Sequence, residues 1–262
     1  MNIQSIQSKA KELLQLSETN RINNRFDAYS APIIAVAAAD DPLFEELCKP
    51  GIIGTHFRKP EFWLPDAKSV ISIFFPITDA VKESNCAERK DPSSEWLYAR
   101  YEGQQMINEI TRDLAEWIQR NGYHAVAPSL DSRFCAAGPK DRGFGTFNSN
   151  WSERHIAYIS GHGTFGLSKG LITRSGITGR FSSIITDMLL SPTQRAYTEL
   201  YEYCNKCGAC IGKCPVDAIS MESGKAHLPC SDFIDQIQEK YDPRYGCGKC
   251  QCGVPCASKI PK

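Results

Sequence analysis

The chain has 262 residues, 42% of them hydrophobic, and its 30 basic side chains balance 30 acidic ones. This length supports one large domain or two smaller ones with proper cores. Zero net charge gives no indication of a nucleic-acid partner, and no apolar run is long enough for a membrane helix. The N-terminus lacks a signal-peptide pattern, so the sequence predicts a soluble, cytoplasmic protein.

Hydrophobic periodicity predicts a mixture of helices and strands in the N-terminal part. A first helix is predicted within residues 1–18, and two apolar stretches, 31–38 and 69–75, predict strands. A long helix is predicted over 94–120, where apolar residues form one stripe and Asn121-Gly122 gives a stop signal. The pattern therefore indicates an α+β architecture.

The middle of the chain is less regular. After a short strand near 124–127, residues 128–150 are rich in Gly, Ser and Asn. A loop of this length is often functional, although a flexible surface loop explains it equally well. A helix is predicted to begin at Ser152, and residues 180–189 are predicted to form a strand that pairs with 171–173 as a hairpin.

Residues 161–166, GHGTFG, match the pattern G-x-G-x-x-G. In a dinucleotide-binding site these glycines follow a strand and open a helix. Here the preceding stretch has a helical pattern and the following stretch predicts a loop and a strand, which is the reverse order. The glycines therefore predict tight turns or close approach of the backbone to another group, and not a Rossmann site.

The cysteines are unevenly distributed. Cys48, Cys86 and Cys135 are scattered through residues 1–195, whereas nine others crowd into residues 196–262. Crowded cysteines in a cytosolic chain favour metal binding over disulfides.

The strongest motif is C-x2-C-x2-C-x3-C-P, from Cys204 to Pro215. This is the bacterial ferredoxin spacing, in which the fourth cysteine binds the neighbouring cluster. Structural zinc is the alternative, but it typically uses two separated C-x2-C pairs and does not need this run. The spacing therefore predicts two [4Fe–4S] clusters, which together form a relay for single electrons.

The tail GCGKCQCGVPC and Cys230 provide the remaining ligands. We expect one cluster on Cys204, Cys207, Cys210 and Cys256. We expect the other on Cys214, Cys230, Cys247 and Cys250. The choice between Cys252 and Cys256 stays open at this point. We favour Cys256 as the last ligand.

The segment ERHIAYISGHGTFGLSKGLIT resembles the E-R-x-x-A-x-x-A-G-L-G-x-x-G-K-N-x-L-L-I segment of epoxyqueuosine reductases. It also resembles the equivalent segment of corrinoid-dependent reductive dehalogenases. LPDAKSVISIFFPI, SSIITDMLL and both cysteine runs match in order, so the resemblance covers roughly residues 60–256.

This resemblance implies an α+β fold of two domains. A nitroreductase-like α/β domain, residues 1–195, would bind a corrinoid such as cobalamin. A bacterial ferredoxin-like domain with two clusters, residues 196–262, would deliver electrons to it. The resemblance places six residues at the corrinoid: Arg154, Gly161, Gly163, Gly166, Ser168 and Lys169.

One departure from the family concerns the proton donor. Epoxyqueuosine reductases have an aspartate six residues before the glutamate that corresponds to Glu153, and this chain has Phe147 there, followed by Asn148. Phenylalanine cannot transfer a proton. The alternative donors nearby are Asp131, Asp141, His155 and Tyr158.

Two further departures concern the substrate. The family's G-K-N becomes Gly166-Leu167-Ser168, with Lys169 one position later. The chain also stops soon after its last cysteine, without the C-terminal helical repeats that help full-length epoxyqueuosine reductases hold transfer RNA. We therefore do not expect it to act on transfer RNA.

Two functions follow from these expectations. One is a reductase in which electrons from a low-potential donor of ferredoxin or flavodoxin type reach a cobalamin or similar cofactor through the clusters. The other is an electron-transfer module that reduces a partner protein or its corrinoid, and the missing aspartate favours it. A flavin is a less favoured occupant of the N-terminal domain, and single-electron chemistry on exposed clusters predicts an anaerobic setting.

Overall fold

The structure of the protein is a computed structural model that describes residues 1–88, 90–137 and 147–262. Its helices are α1 (Ile3–Leu16), α2 (Leu43–Leu47), α3 (Pro60–Trp63), α4 (Asp79–Ala87), α5 (Ser94–Arg120), α6 (Glu153–Ile159), α7 (Ala209–Gly212) and α8 (His227–Tyr241). Three short 3-10 turns cover Glu18–Asn20, Pro128–Leu130 and Lys249–Gln251. None of the helices in the described ranges combines the length and apolar character needed to cross a bilayer.

The strands are mostly short and antiparallel. They are β1 (Arg21–Ile22), β2 (Phe26–Asp27), β3 (Ile33–Ala38), β4 (Ser69–Pro76), β5 (Ala125–Val126), β6 (Ala136–Ala137), β7 (Asn148–Ser149), β8 (Gly163–Phe165), β9 (Leu171–Thr173), β10 (Gly179–Thr186), β11 (Ile219–Ser220) and β12 (Gly224–Lys225). Four of them form the main sheet, in the order β3-β4-β10-β5.

The main sheet has helices on both faces. Every residue of the central strand β4 is buried, as expected for a β-branched and aromatic run between two partners. Ile71 and Ile73 pack with α1 and α5 on one face. Val70 packs on the other face with α6 and a group of aromatic rings, in which Trp151 and Phe57 stack with centroids 5.7 Å apart.

Helix α5 confirms the prediction from its apolar stripe. It spans Ser94–Arg120, and the Ser93 hydroxyl caps it by accepting a hydrogen bond from the Trp96 backbone N–H. Met106, Ile107 and other members of the stripe are buried against the sheet. Because this helix also carries Trp96 and Arg100 towards the cysteine-rich region, it positions part of the site described below.

The predicted hairpin between residues 171–173 and 180–189 is wrong. β9 pairs with β8, whereas β10 lies in the main sheet between β4 and β5. Gly163 permits the first pairing, since a Cβ there would stand 1.8 Å from the Ile172 carbonyl oxygen. β10 has five buried residues in succession, and a position between two strands of the main sheet buries both faces of this run.

Two other expectations from the middle of the chain have clear outcomes. α6 begins at Glu153, directly after Ser152, and GHGTFG follows this helix and contributes to β8. The order required for a dinucleotide site is therefore not present. In the irregular region, a 3-10 turn and the short pair β6–β7 are formed, and residues 138–146, including Asp141, lie outside the described residues.

Candidate iron–sulfur centres

The first cysteine run wraps around a small cavity. Left-handed backbone at Lys206 (φ +53°) and at Gly208 (φ +73°) turns the chain, and α7 begins directly after Gly208. Four cysteines line this first cavity: Cys204, Cys207, Cys210 and Cys256. Cys256 arrives from the far end of the chain, held by a 2.8 Å hydrogen bond from the Ile177 N–H to its carbonyl oxygen.

The second cysteine run repeats this local geometry. In both C-G-x-C segments the glycine is left-handed and opens a short helical turn, Gly208 with φ +73° and Gly248 with φ +67°. Four cysteines line the second cavity: Cys214, Cys230, Cys247 and Cys250. Cys214 belongs to the first run and crosses to this cavity, which is the exchange that ferredoxin spacing predicts.

The two cavities differ in volume, about 20 Å³ for the first and about 170 Å³ for the second. No three Cys, His, Asp or Glu side chains in the described ranges converge closely enough to hold a single metal ion. The four cysteines of each set instead form the walls of a cavity. The two sets are neighbours, because the Cys250 thiol interacts electrostatically with Cys210 and Cys214.

Cys252 lies apart from both cavities. It is buried, and the Asn85 side-chain amide donates a hydrogen bond to its sulfur at 3.6 Å. The same amide donates to the Cys247 carbonyl oxygen at 3.1 Å, which ties the second run to α4. Cys252 therefore packs as a core residue, in agreement with the preference for Cys256.

Burial shapes the electrostatics of the cysteines. It raises the pKa of the Cys250 thiol to about 11 and the pKa values of Cys247 and Cys256 to about 12. The thiols are therefore neutral near pH 7, and binding of metal as thiolate must release protons. Three cationic side chains also line the second cavity, namely Arg100, Arg180 and Lys225.

Trp96 is a site residue that the sequence did not indicate. It lines the second cavity, and its buried indole Nε1–H has no hydrogen-bond partner in the described part of the chain. A Cβ on Gly248 would lie 1.8 Å from Trp96 Cζ2 and 2.1 Å from Cε2, so the edge of the indole that carries Nε1 lies against the C-G-x-C loop. An unpaired buried donor costs about 1–3 kcal/mol and calls for an acceptor at this position.

The glycines predicted at a corrinoid are explained by internal packing. A Cβ added to Gly161 would lie 3.2 Å from the Thr193 side chain, and one added to Gly166 would lie 3.1 Å from the Ile172 side chain. A Cβ on Gly163 would lie only 1.8 Å from the Ile172 carbonyl oxygen. Gly166 and Ser168 both line the first cavity. Contact of these residues with a corrinoid stays a prediction.

Arg154 and Lys169, the two charged residues of that predicted set, are adjacent. Arg154 donates a 2.5 Å hydrogen bond from Nη1 to the Lys169 carbonyl oxygen. Lys169 has left-handed backbone, with φ +59°. A non-glycine residue in this conformation is uncommon, and such residues cluster at functional sites.

Three of the four alternative proton donors, Asp131, His155 and Tyr158, lie in the described residues. The Asp131 carboxylate pairs with Arg133 at 2.7 Å, and this contact lowers its pKa. Burial lowers the pKa of His155 to about 4 and raises the pKa of Tyr158. Phe147 packs its ring against His227, with centroids 5.3 Å apart, so the aspartate position of the family holds an aromatic contact here.

Comparisons with known proteins agree with this geometry. Residues 198–220 match the 4Fe–4S binding domain family, whereas no curated protein sequence matches the chain significantly. Epoxyqueuosine reductase from Streptococcus thermophilus superposes with a TM-score of 0.59 at 17% identity, over 100% of this chain and 68% of that one. Epoxyqueuosine reductase from Bacillus subtilis superposes with a TM-score of 0.54 at 17% identity, over 98% of this chain and 67% of that one.

A catabolic reductive dehalogenase in complex with 3-bromo-4-hydroxybenzoic acid also shares the fold. Its TM-score is 0.55 at 16% identity, over 87% of this chain and 30% of that one. The chain is thus a mixed α/β protein with a segment near its C-terminus that matches the 4Fe–4S binding domain family. Its fold is that of epoxyqueuosine reductases and reductive dehalogenases, which confirms the resemblance found in the sequence.

Proposed function

We propose that the protein is an oxidoreductase that carries two [4Fe–4S] clusters and passes single electrons through them to an acceptor at the N-terminal domain. The first cluster would be held by Cys204, Cys207, Cys210 and Cys256. The second would be held by Cys214, Cys230, Cys247 and Cys250. The observation that supports this proposal is the presence of two adjacent cavities, each lined by four cysteines, with one cysteine of each run lining the other run's cavity.

The residues around the second cavity fit a cluster in two further respects. The orphaned Trp96 Nε1–H can donate to an inorganic sulfide or a thiolate, both of which are acceptors in such centres. Arg100, Arg180 and Lys225 offset the negative charge that four thiolates bring. When bound, the clusters supply one-electron transfer; the protein's own residues bind iron, donate hydrogen bonds to sulfur and limit access of water.

The acceptor is less well defined by the described residues. Five cavities in the described ranges have volumes from about 20 to about 340 Å³. Cobalamin as the acceptor rests on the family resemblance.

The iron content of cysteine variants tests the clusters. Anaerobically purified protein should contain about eight iron and eight sulfide per chain, as two cubanes require. Cys256→Ser should lose about four of each, whereas the matched variant Cys252→Ser should keep all eight because Cys252 is a packing residue. Zinc in place of iron, or equal losses in the two variants, would refute the ligand assignment.

A second candidate function is electron transfer to a partner without substrate chemistry. Phe147 at the position of the family's aspartate favours it, since an aromatic ring cannot donate a proton. Cobalt and flavin determinations on the same protein, followed by addition of cobalamin, separate the two. A shifted cobalt spectrum at micromolar protein supports the reductase, whereas no binding together with a stoichiometric partner in native anaerobic extract supports the module.

A further inference from the structure

One arginine of the main sheet has no acidic partner. Arg180 lies in β10 opposite Phe75 of β4, and its side chain is half-buried. In the described ranges no carboxylate lies close enough to Arg180 to form an ion pair. A guanidinium that protein shields from water usually has an anionic partner, because its charge has lost solvation. The partner of Arg180 is therefore to be sought in the space that its side chain borders.

Side chains of α5 hold the guanidinium in place. Asn108 Oδ1 accepts a 2.8 Å hydrogen bond from the Gln104 amide, and Gln104 Oε1 accepts one of 2.7 Å from Arg180 Nε. The described residues provide no hydrogen-bond acceptor for the two Nη groups of Arg180. Arg180 lines the second cavity together with all four cysteines assigned to the second cluster. The Nη groups are therefore available to an anion in this cavity.

The wall of the second cavity carries positive charge. Arg100 and Lys225 line it beside Arg180, and no aspartate or glutamate is among the described residues that line it. Burial lowers the pKa of the Arg180 guanidinium to about 10, and the charge of Arg100 acts in the same direction. Arg100 has a partner of its own, since its guanidinium lies 4.3 Å from the centre of the Tyr245 ring. Arg180 is thus the cation of this wall that most needs an anion.

The first cavity differs in this respect. Lys206 is the only basic residue among the described residues that line it, and its side chain is exposed. Water and salt screen an exposed charge, whereas a partly buried charge is screened much less. Fixed positive charge should therefore act on a cluster in the second cavity far more than on one in the first.

We propose that Arg180 is the counter-ion of the second cluster and raises its reduction potential, so that a donor of less negative potential can reduce it. Four thiolates give such a centre a net negative charge, and reduction adds one electron and one further negative charge. A cation at a fixed position stabilises the reduced state more than the oxidised state. This inference rests on the proposed function, since it requires a cluster in the second cavity.

A redox titration of the anaerobically purified full chain, followed by electron paramagnetic resonance, tests the role of this charge. Arg180→Gln should shift the equilibrium for one-electron reduction of the second cluster about tenfold towards the oxidised state, equivalent to about 59 mV. Arg180→Lys keeps the charge and should restore most of this shift. Arg112→Gln makes the same charge change at an exposed position of α5 and should leave the equilibrium within about twofold.

Two further measurements make each outcome decisive. Cys256→Ser should retain only the second cluster, so its spectrum assigns the signals, and iron is determined on every sample. Full iron with an unchanged potential in Arg180→Gln, or with equal shifts in Arg180→Gln and Arg180→Lys, would overturn the role of Arg180 alone. Absence of iron from the unchanged protein would instead refute the proposed function.

Iron content also decides the result if a variant does not retain the second cluster. Loss of about four iron in Arg180→Gln, with about eight kept in Arg180→Lys, would support the proposal, because the cluster would then require the charge itself. The same loss in both variants would overturn it, since the shape of the arginine side chain and not its charge would then be what the cavity needs.

Discussion

At the scale of single residues, the indole N–H of Trp96 gives a prediction for the second cluster. Hydrogen bonds to cluster sulfur stabilise the more negative, reduced state and so raise the reduction potential. Trp96→Phe removes the donor and keeps most of the ring that packs on Gly248. Loss of a hydrogen bond worth ~1 kcal/mol should lower the potential of one cluster by about 40 mV.

A redox titration followed by electron paramagnetic resonance measures this change. The first cluster serves as an internal control, because Trp96 does not line its cavity. Trp117→Phe, on the same helix but outside both cavities, is the matched control variant. Unchanged potentials for both clusters in Trp96→Phe would show that the indole has another partner.

Glu153 predicts a dependence of stability on pH. Both of its carboxylate oxygens are shielded from solvent, and burial raises its pKa from 4.5 to about 7, although the Ser183 and Ser129 hydroxyls act in the opposite direction. The folded state therefore retains a proton that the unfolded state releases, so the contribution of Glu153 to stability is fully present below pH 4.5 and is lost as the pH rises towards 7.

The matched variant for this effect is Glu153→Gln, which keeps the shape and removes the titration. Between about pH 5.5 and 8, the unchanged protein should lose about 2 kcal/mol more free energy of unfolding than the variant. Thermal unfolding under anaerobic conditions at several pH values gives the comparison. Parallel curves for the two proteins would mean that Glu153 is ionised in the folded state.

At the scale of elements, the two C-G-x-C loops allow a matched test of loop docking. Gly208 and Gly248 have nearly the same left-handed backbone, so alanine at either position costs about 1 kcal/mol of strain. A Cβ on Gly208 meets nothing closer than 3.7 Å, whereas a Cβ on Gly248 would overlap Trp96 at 1.8 Å. Gly248→Ala should therefore displace its loop from α5.

Iron analysis and paramagnetic resonance distinguish these variants. Gly248→Ala should lose about four iron, corresponding to the second cluster, and Gly208→Ala should retain about eight. Similar iron content in the two variants would show that the loop does not depend on its contact with α5.

The elements also show what local sequence can predict. α5 was predicted at its observed bounds because 27 residues of regular periodicity and the Asn121-Gly122 stop signal are local features. The pairing of β9 was predicted wrongly because the choice of a strand's partner depends on tertiary packing. The spacing of the first cysteine run predicted that Cys214 turns away from Cys204, Cys207 and Cys210, but it left the choice between Cys252 and Cys256 open. Trp96 reaches Gly248 from far along the chain, and no local pattern indicates such a contact.

At the scale of the whole molecule, we expect the cysteine-rich region to depend on bound clusters more than the main sheet does. Its buried residues Phe233 and Ile237 form only a small cluster with Leu97 of α5, whereas the two faces of the sheet have much larger buried clusters. Small domains with little core usually need metals or disulfides to stay folded. The tail is also joined to the N-terminal part, for example by a 2.6 Å hydrogen bond from the Thr178 hydroxyl to the Gln251 carbonyl oxygen.

Removal of iron should therefore unfold the molecule in parts. After anaerobic chelation, trypsin should cut rapidly after Lys206 and Lys213, which lie within the first cysteine run. Cleavage after Arg112 should stay slow, because α5 remains packed on the sheet by Met106 and Ile107. Mass spectrometry of timed digests, with and without iron, gives both rates from one sample. An equal rise at all three positions would instead mean that the clusters and the sheet unfold as one cooperative unit, in which the contacts made by Trp96 and the tail couple the two regions.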